Sequence, residues 1–378
     1  MRNSIFSLVT LSLLLFSCGE NQEGSSAMVV KSETSSEKGT TTISENKGYT
    51  QSTFPVVGKV GLMAVVCPDE LWTPRVEKAL DSVFGEYFRP FYPPQKRFEA
   101  YHLTPEEFEK RNKRVRNLMV LSLDDKVKPG KAEVNLKESY YASTQMATYI
   151  SANSVSDIEE ACESQLWDIA RRYDKMAWRR EVIRNQRDPG KMVEKRVFDK
   201  FDIHLDLPKN ASVSGERKNF VRISFPDESR PMDLAGGSYQ TTRTNFNQYG
   251  IMIWQYSFTD SSLLEYQTML NSRDTILKYN VPHEYEGVYM GTQYHPAVVP
   301  IRKRLTLNTI EGYELTGLFK FTGEMEPSGG MFWSFTFLHP KTNKIVTVSG
   351  FVDVVPTTSA VPYIRRVQAI LYSLRLDD

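Results

Sequence analysis

The sequence predicts an α+β protein: an N-terminal mixed α/β domain followed by a helix-flanked antiparallel-sheet domain. Three observations carry that expectation. In the first half, short apolar runs alternate with helix-start signals, the order that lays helices against a sheet containing parallel strands. In the second half strand patterns dominate, as in Tyr313, Leu315, Gly317, Phe319 and Phe321, which share one parity. Between the halves, Asp188-Pro189-Gly190 breaks both patterns.

The chain opens with Arg2 and an apolar run from Ile5 to Phe16, too short to span a bilayer. Position, charge and length read as a secretory signal over residues 1–17. A small residue, Ser17, followed by Cys18 and Gly19 resembles a bacterial lipobox, although Phe16 is bulkier than the strictest form favours. The resemblance implies that the Cys18 thiol takes a diacylglycerol and that the peptide is cut just before it. Residues 18–53 are Ser, Thr, Glu, Lys and Gly-rich, with Tyr49 their only aromatic. They hold too little apolar surface to offset the entropy of ordering, so they are expected to form a disordered tether.

The first domain is placed at 54–187. Val60 to Cys67 reads as a buried strand, and Thr73-Pro74 starts a helix with Val76, Leu80, Val83, Phe84 and Tyr87 on one face. Phe91-Tyr92-Pro93-Pro94 ends that helix. Strands follow at Phe98–Leu103, Asn117–Leu123, Ala132–Lys137 and Met146–Ala152, with a helix opened by Thr104-Pro105. Ser156 and Glu159 have capping-box spacing ahead of a long helix striped by Ile158, Cys162, Leu166, Ile169, Tyr173, Met176 and Ile183.

The second domain is placed at 188–378. After a short helix to about Phe201, strands are expected at His204–Leu207, Phe220–Phe225, Gly250–Ser257, Arg302–Leu307, Tyr313–Phe321, Phe332–Leu338 and Lys344–Val355. Leu263 to Leu277 reads as a helix. Pro362 starts a last one, with Ile364, Val367, Ile370, Leu371 and Leu374 on its apolar side.

Forty-seven Lys and Arg balance 46 Asp and Glu, so the body lacks the clustered positive charge that nucleic-acid binding requires. The densest basic stretch, Arg171-Arg172 through Arg179-Arg180, Arg184 and Arg187, is laced with Asp168, Asp174 and Glu181 and reads as a solvated helix face. Beyond Cys18 the cysteines are Cys67 and Cys162, two small residues on buried patterns and too few for a disulfide framework.

Several stretches resemble an uncharacterised lipoprotein family of Bacteroidota type, catalogued only as a domain of unknown function. They are Val65-Val66-Cys67-Pro68-Asp69-Glu70-Leu71-Trp72, Arg114 to Val120, Gly317-Leu318-Phe319, Gly329 to Phe332, Val348 to Phe351 and Ala369 to Leu374. Met331 and Ser349 stand where that family has Pro and Glu. The resemblance implies an envelope location and lipidation but no activity, cofactor or catalytic residue. More distantly, the element order of the second domain is similar to the PsbP and Mog-one type of sheet sandwich, and fold alone licenses no function.

The five histidines, His102, His204, His283, His295 and His339, lack zinc spacing. No serine sits in a nucleophile elbow, and Gly236-Gly237-Ser238 and Ser328-Gly329-Gly330 lack the Lys of a phosphate loop. Asp69 and Glu70 follow the first strand, and Asp124 and Asp125 follow the third. If those strands are parallel neighbours, the four carboxylates share one sheet edge, where ligands often bind; the same acids also suit helix N-termini. Phe91 and Tyr92, among prolines, are a candidate contact surface for a protein or a sugar ring. The expectation is therefore a lipid-anchored envelope protein, on the outer membrane rather than the inner, acting as a non-catalytic binding or assembly accessory without a cofactor. The alternative is a glycan-binding or glycan-cleaving lipoprotein that uses these carboxylates and aromatics.

Overall fold

The computed structural model describes the backbone of residues 42–45, and residues 53–111, 113–225, 248–281, 286–322, 329–354 and 358–377. All of them belong to one compact unit, Ser36–Asp378. The signal segment 1–17 and Cys18 lie outside the described residues, as do Gly236-Gly237-Ser238, His283 and Ser328. Within the stretch expected to be a tether, Thr42–Glu45 is a strand, β1, and the rest up to residue 52 is outside the description. The β-branched run Thr40-Thr41-Thr42-Ile43 supplies the strand preference there.

The first sheet is mixed, ordered β1-β5-β6-β4-β2-β3. Its strands are β2 (Leu62–Val66), β3 (Glu99–Leu103), β4 (Asn117–Leu123), β5 (Ala132–Glu138) and β6 (Met146–Ala152), with β1 at one edge. Only the β5–β6 pair is antiparallel. Helix α1 (Pro74–Val83) is capped by Thr73 and carries Pro at its first turn. It packs with α3 (Val155–Arg187) on one face of the sheet, burying Met63, Val65, Met119, Leu121, Ile150, Leu80, Cys162 and Leu166. The cap of α3 is Ser154, whose side chain accepts from Asp157 N, rather than the expected Ser156–Glu159 box. Glu159 instead turns to α1, accepting from Thr73 Oγ1 at 2.7 Å and Arg75 Nη1 at 2.7 Å. On the other face lies α2 (Pro105–Glu109), opened by a full capping box between Thr104 and Glu107.

Helix α4 (Lys191–Phe201) follows the Asp188-Pro189-Gly190 break. The second sheet is antiparallel, ordered β10-β12-β13-β14-β9-β8-β7, with β11 pairing the remaining length of β12. Its strands are β7 (Ser212–Arg217), β8 (Phe220–Ser224), β9 (Gln248–Ser257), β10 (Tyr289–Thr292), β11 (Ile301–Leu307), β12 (Ile310–Thr322), β13 (Gly329–His339) and β14 (Lys344–Asp353). One face meets α6 (Val361–Tyr372), with Met331, Trp333, Phe335 and Phe337 in the core; the other is covered by α5 (Tyr266–Asn280). Gly350 lets α6 approach, because a Cβ there would lie 2.1 Å from Val367 Cγ1. His204–Leu207 is not a strand: His204 makes one bridge to Arg375, and Leu205 and Leu207 are buried without a ladder.

Helix α3, about 50 Å long at 1.5 Å per residue, runs on to meet α6. Trp178 packs edge-on to Tyr372, and Asp174 Oδ1 sits 2.7 Å from Arg365 Nη2 and 3.2 Å from Arg97 Nη1. Burial disfavours the Asp174 charge, but Arg365 and Arg97 outweigh it and hold the carboxyl below its ordinary range. The basic stretch on α3 is not wholly solvated. Arg180 is buried, donating to Thr144 O at 2.8 Å, Arg116 O at 2.7 Å and Asn117 Oδ1 at 3.0 Å, and burial pulls its guanidinium down to about 9.

Phe91 corrects the expectation of an aromatic surface. Phe88 and Phe91 leave the end of α1 and turn into the core of the second sheet, both edge-on to Trp333 at 6.1 and 5.8 Å. The hydrophobic gain of seating two phenyl rings against an indole decides their place. Tyr92, 68% exposed, is left outside.

Candidate ligand cleft

Strands β2 and β4 are parallel neighbours, so Asp69 and Glu70 and then Asp124 and Asp125 leave the sheet at the same, carboxyl edge. The four do not form one site. Asp69 points to solvent, 84% exposed, with Oδ1 3.9 Å from His102 Nδ1. The His102 ring stacks on Trp72 at 4.9 Å, and its Nε2 donates to Cys67 O at 2.9 Å, since a carbonyl can only accept. Asp124 Oδ1 accepts from Lys126 N at 3.0 Å, a local turn contact. Among the described residues no three His, Cys, Asp or Glu are grouped to hold a metal ion.

Glu70 alone of the four lines a cleft of about 470 Å³ on the α2 side of this edge. The floor is the alternate face of the parallel strands, Val66, Val120 and Ser122, the last sharing a 2.9 Å hydrogen bond with Ser151 Oγ. The walls are Phe108 of α2, Tyr141 of the β5–β6 connection and Tyr149 of β6, with Glu109 at the rim. Sequence spacing gave no warning of this wall, since its members lie on separate elements; the Tyr140-Tyr141 pair between two strands was its one local sign.

The wall is held by charge over aromatic faces. Lys113 Nζ lies 5.7 and 5.8 Å from the Phe108 and Tyr141 centroids while binding Glu109 Oε1 at 2.6 Å. Lys137 Nζ lies 4.5 and 4.4 Å from Tyr140 and Tyr149. Burial, then the neighbouring Tyr141, pushes the Tyr149 phenol well above its ordinary range, so it stays a neutral donor. The arrangement offers flat apolar faces beside the carboxylates of Glu70 and Glu109, a surface suited to an amphipathic ligand.

The free thiols Cys67 and Cys162 are both buried under this edge, pushed up to about 11 and about 12 by burial first. That makes them poor nucleophiles. A larger hollow, about 590 Å³, lies by the β11–β12 turn, and there Arg304 and Glu311 are spent on each other at 2.7 Å. No helix among the described residues is long and apolar enough to cross a membrane.

Fold and cleft together define an α+β protein of two sheets, one mixed and one antiparallel, with an open cleft at the edge of parallel strands. Two family models match it, each described as a domain of unknown function: DUF8532 over residues 56–185 and DUF4837 over residues 191–373. A search of curated proteins gives no match. Among solved structures, the chain is similar to the Ran-binding protein Mog1p of Saccharomyces cerevisiae at 9% identity and a TM-score of 0.29, covering 47% of this chain and 91% of that one. A point mutant of protein Mog1 matches at 9% identity and a TM-score of 0.26, covering 47% and 92%.

Proposed function

We propose that this protein is a lipid-anchored cell-envelope protein, held through Cys18, whose body is a non-catalytic binding or assembly accessory for another envelope protein. The observation that carries the reading is the cleft: an open aromatic wall of Tyr141 and Tyr149 fenced by Glu70 and Glu109. The signal-like run ending at Cys18 supports the location, and the polar stretch after it supports a body that reaches away from its anchor. The test is crosslinked affinity purification of the tagged full chain from native envelopes, beside Cys18→Ala and a Glu70→Lys, Tyr141→Ala double variant. A stoichiometric partner lost in both is the expected result. Equal recovery of that partner by the cleft variant would remove the cleft from the reading.

A second reading is favoured by the same wall, because aromatic faces beside carboxylates also suit sugar rings. In that case the protein binds or cleaves an envelope glycan. Saturable binding of envelope polysaccharide by the purified body, abolished in the cleft variant, would favour it, and turnover of the polymer would overturn the non-catalytic assignment.

A further inference from the structure

Strand β3 ends the first sheet, with β2 on its inner side and no strand on its outer side. Its inner register is fixed: Glu99 N donates to Gly61 O at 2.8 Å, and Cys67 N donates to Leu103 O at 3.1 Å. Main-chain groups alternate sides along a strand, so Glu99, Tyr101 and Leu103 serve β2 while Ala100 and His102 face outward.

The chain itself shows that this outer side accepts a strand. Just upstream, residues 84–88 run antiparallel to 95–98: Phe98 N donates to Phe84 O at 2.9 Å, and Tyr87 bridges Lys96. That cover stops at Phe98. The next outward N–H and C=O groups, those of Ala100 and His102, have no main-chain partner among the described residues. Sheet edges are commonly blunted by Pro, Lys, a bulge or a covering segment. Between Glu99 and Leu103 there is no Pro, Lys or bulge, and the covering segment has ended.

A groove of about 350 Å³ lies between this edge and α1. Leu80 and Phe98 form its buried floor and Trp72 a wall. Its rim is acidic: Glu77, Asp81 and Glu99 are all exposed. Of the three, Asp81 alone has an ion-pair partner among the described residues, Lys96 at 2.5 Å. Side chains of an added strand alternate, so every second one would drop into this groove. The apolar floor and the uncompensated carboxylates select a residue with an aliphatic stem and a positive head. A second copy of β3 does not supply it, since Glu99 to Leu103 contains no Lys or Arg.

We infer that the outer edge of β3 docks an extended segment of another polypeptide, carrying Lys or Arg at alternate positions, as a further strand of the sheet. This surface is separate from the cleft, which lies on the α2 side.

The test uses the purified full chain and a labelled peptide alternating Lys with Val, beside a counterpart with Glu for Lys. Affinity is read by fluorescence anisotropy, and the amides engaged are read by hydrogen exchange. The expected result is saturable binding of the Lys peptide only, with new protection at Ala100 and His102. Ala100→Pro deletes one outward N–H at a position where edge strands tolerate Pro. It should weaken binding about threefold to tenfold, the worth of one main-chain hydrogen bond. Glu77→Lys combined with Glu99→Lys, both exposed positions, should weaken it further and flatten its salt dependence. No binding, binding unchanged in both variants, or protection at Tyr141 and Tyr149 instead of β3 overturns the proposal. So does protection of β3 without peptide in a dimer of this chain. If Ala100→Pro fails to fold, the charge-reversed variant and the wild-type exchange pattern still decide.

Discussion

Replacing Phe91 by Ala separates a packing role from a binding one. Phe91 is 5% exposed and lies against Phe88 and Trp333 at 6.4 and 5.8 Å. Burying a Phe side chain contributes about 1.5–3 kcal/mol, and its two aromatic contacts add about 0.5–1.5 kcal/mol each in favourable geometry. Truncation also leaves a cavity, and measured Phe→Ala losses in cores run at about 3–5 kcal/mol. Because the Pro-flanked loop carrying Phe91 can partly collapse into the gap, we expect the low end, about 3 kcal/mol. The assay is urea unfolding followed by tryptophan emission, with Trp333 beside the lesion, and Tyr92→Ala as the neighbour control. Tyr92 is 68% exposed, so its loss should stay within about 0.5 kcal/mol. A Phe91→Ala loss below about 1 kcal/mol, or a Tyr92→Ala loss equal to it, would refute the reasoning.

Three further outcomes follow from the same packing. Asp174→Asn strands the buried Arg365 without its charge partner and should cost about 3–5 kcal/mol in urea unfolding; a loss near zero would mean that Arg97 and Arg365 need no counter-ion there. Gly350→Ala drives a Cβ to 2.1 Å from Val367 Cγ1, so α6 must shift, at about 1–3 kcal/mol; an unchanged unfolding midpoint would contradict that close approach. Asp353 is pushed up to about 6 by burial alone, against about 3.9 in an unfolded chain. The folded state thus holds the proton more tightly, and the stability this contributes is present at low pH and lost as pH rises from about 4 through 6. Asp353→Asn should be more stable than the parent at pH 7, by about 1–3 kcal/mol, with the gap closing toward pH 4. A gap that widens on acidification would reverse the assignment.

Local patterns read the strands well because burial on a pleated face is written at period two. Asn117–Leu123 and Met146–Ala152 are strands over the residues the pattern marks. His204–Leu207 shows the limit of that logic. Its alternation reports burial of Leu205 and Leu207, which is present, and not a hydrogen-bonded ladder, which is absent. Arg180 falls in a run of charges that reads as solvated, and the carbonyls of Arg116 and Thr144 together with Asn117 Oδ1, brought in from just before β6 and the start of β4, make its burial tolerable. The carboxylate edge was legible because parallel order follows from alternating strands and helices. Its cleft was not, since Phe108, Tyr141 and Tyr149 meet only through tertiary structure. Ser334 and Thr336 on β13 are buried although polar, because α5 covers that face of the sheet.

The aromatic plug of Phe88 and Phe91 has a consequence in time. Its socket at Trp333 is made about 240 residues later in the chain. Wherever the chain folds, those two phenyl rings stay unburied until β13 and α6 join the fold, so a fragment cut off before β13 would carry an apolar two-ring patch that the full chain hides.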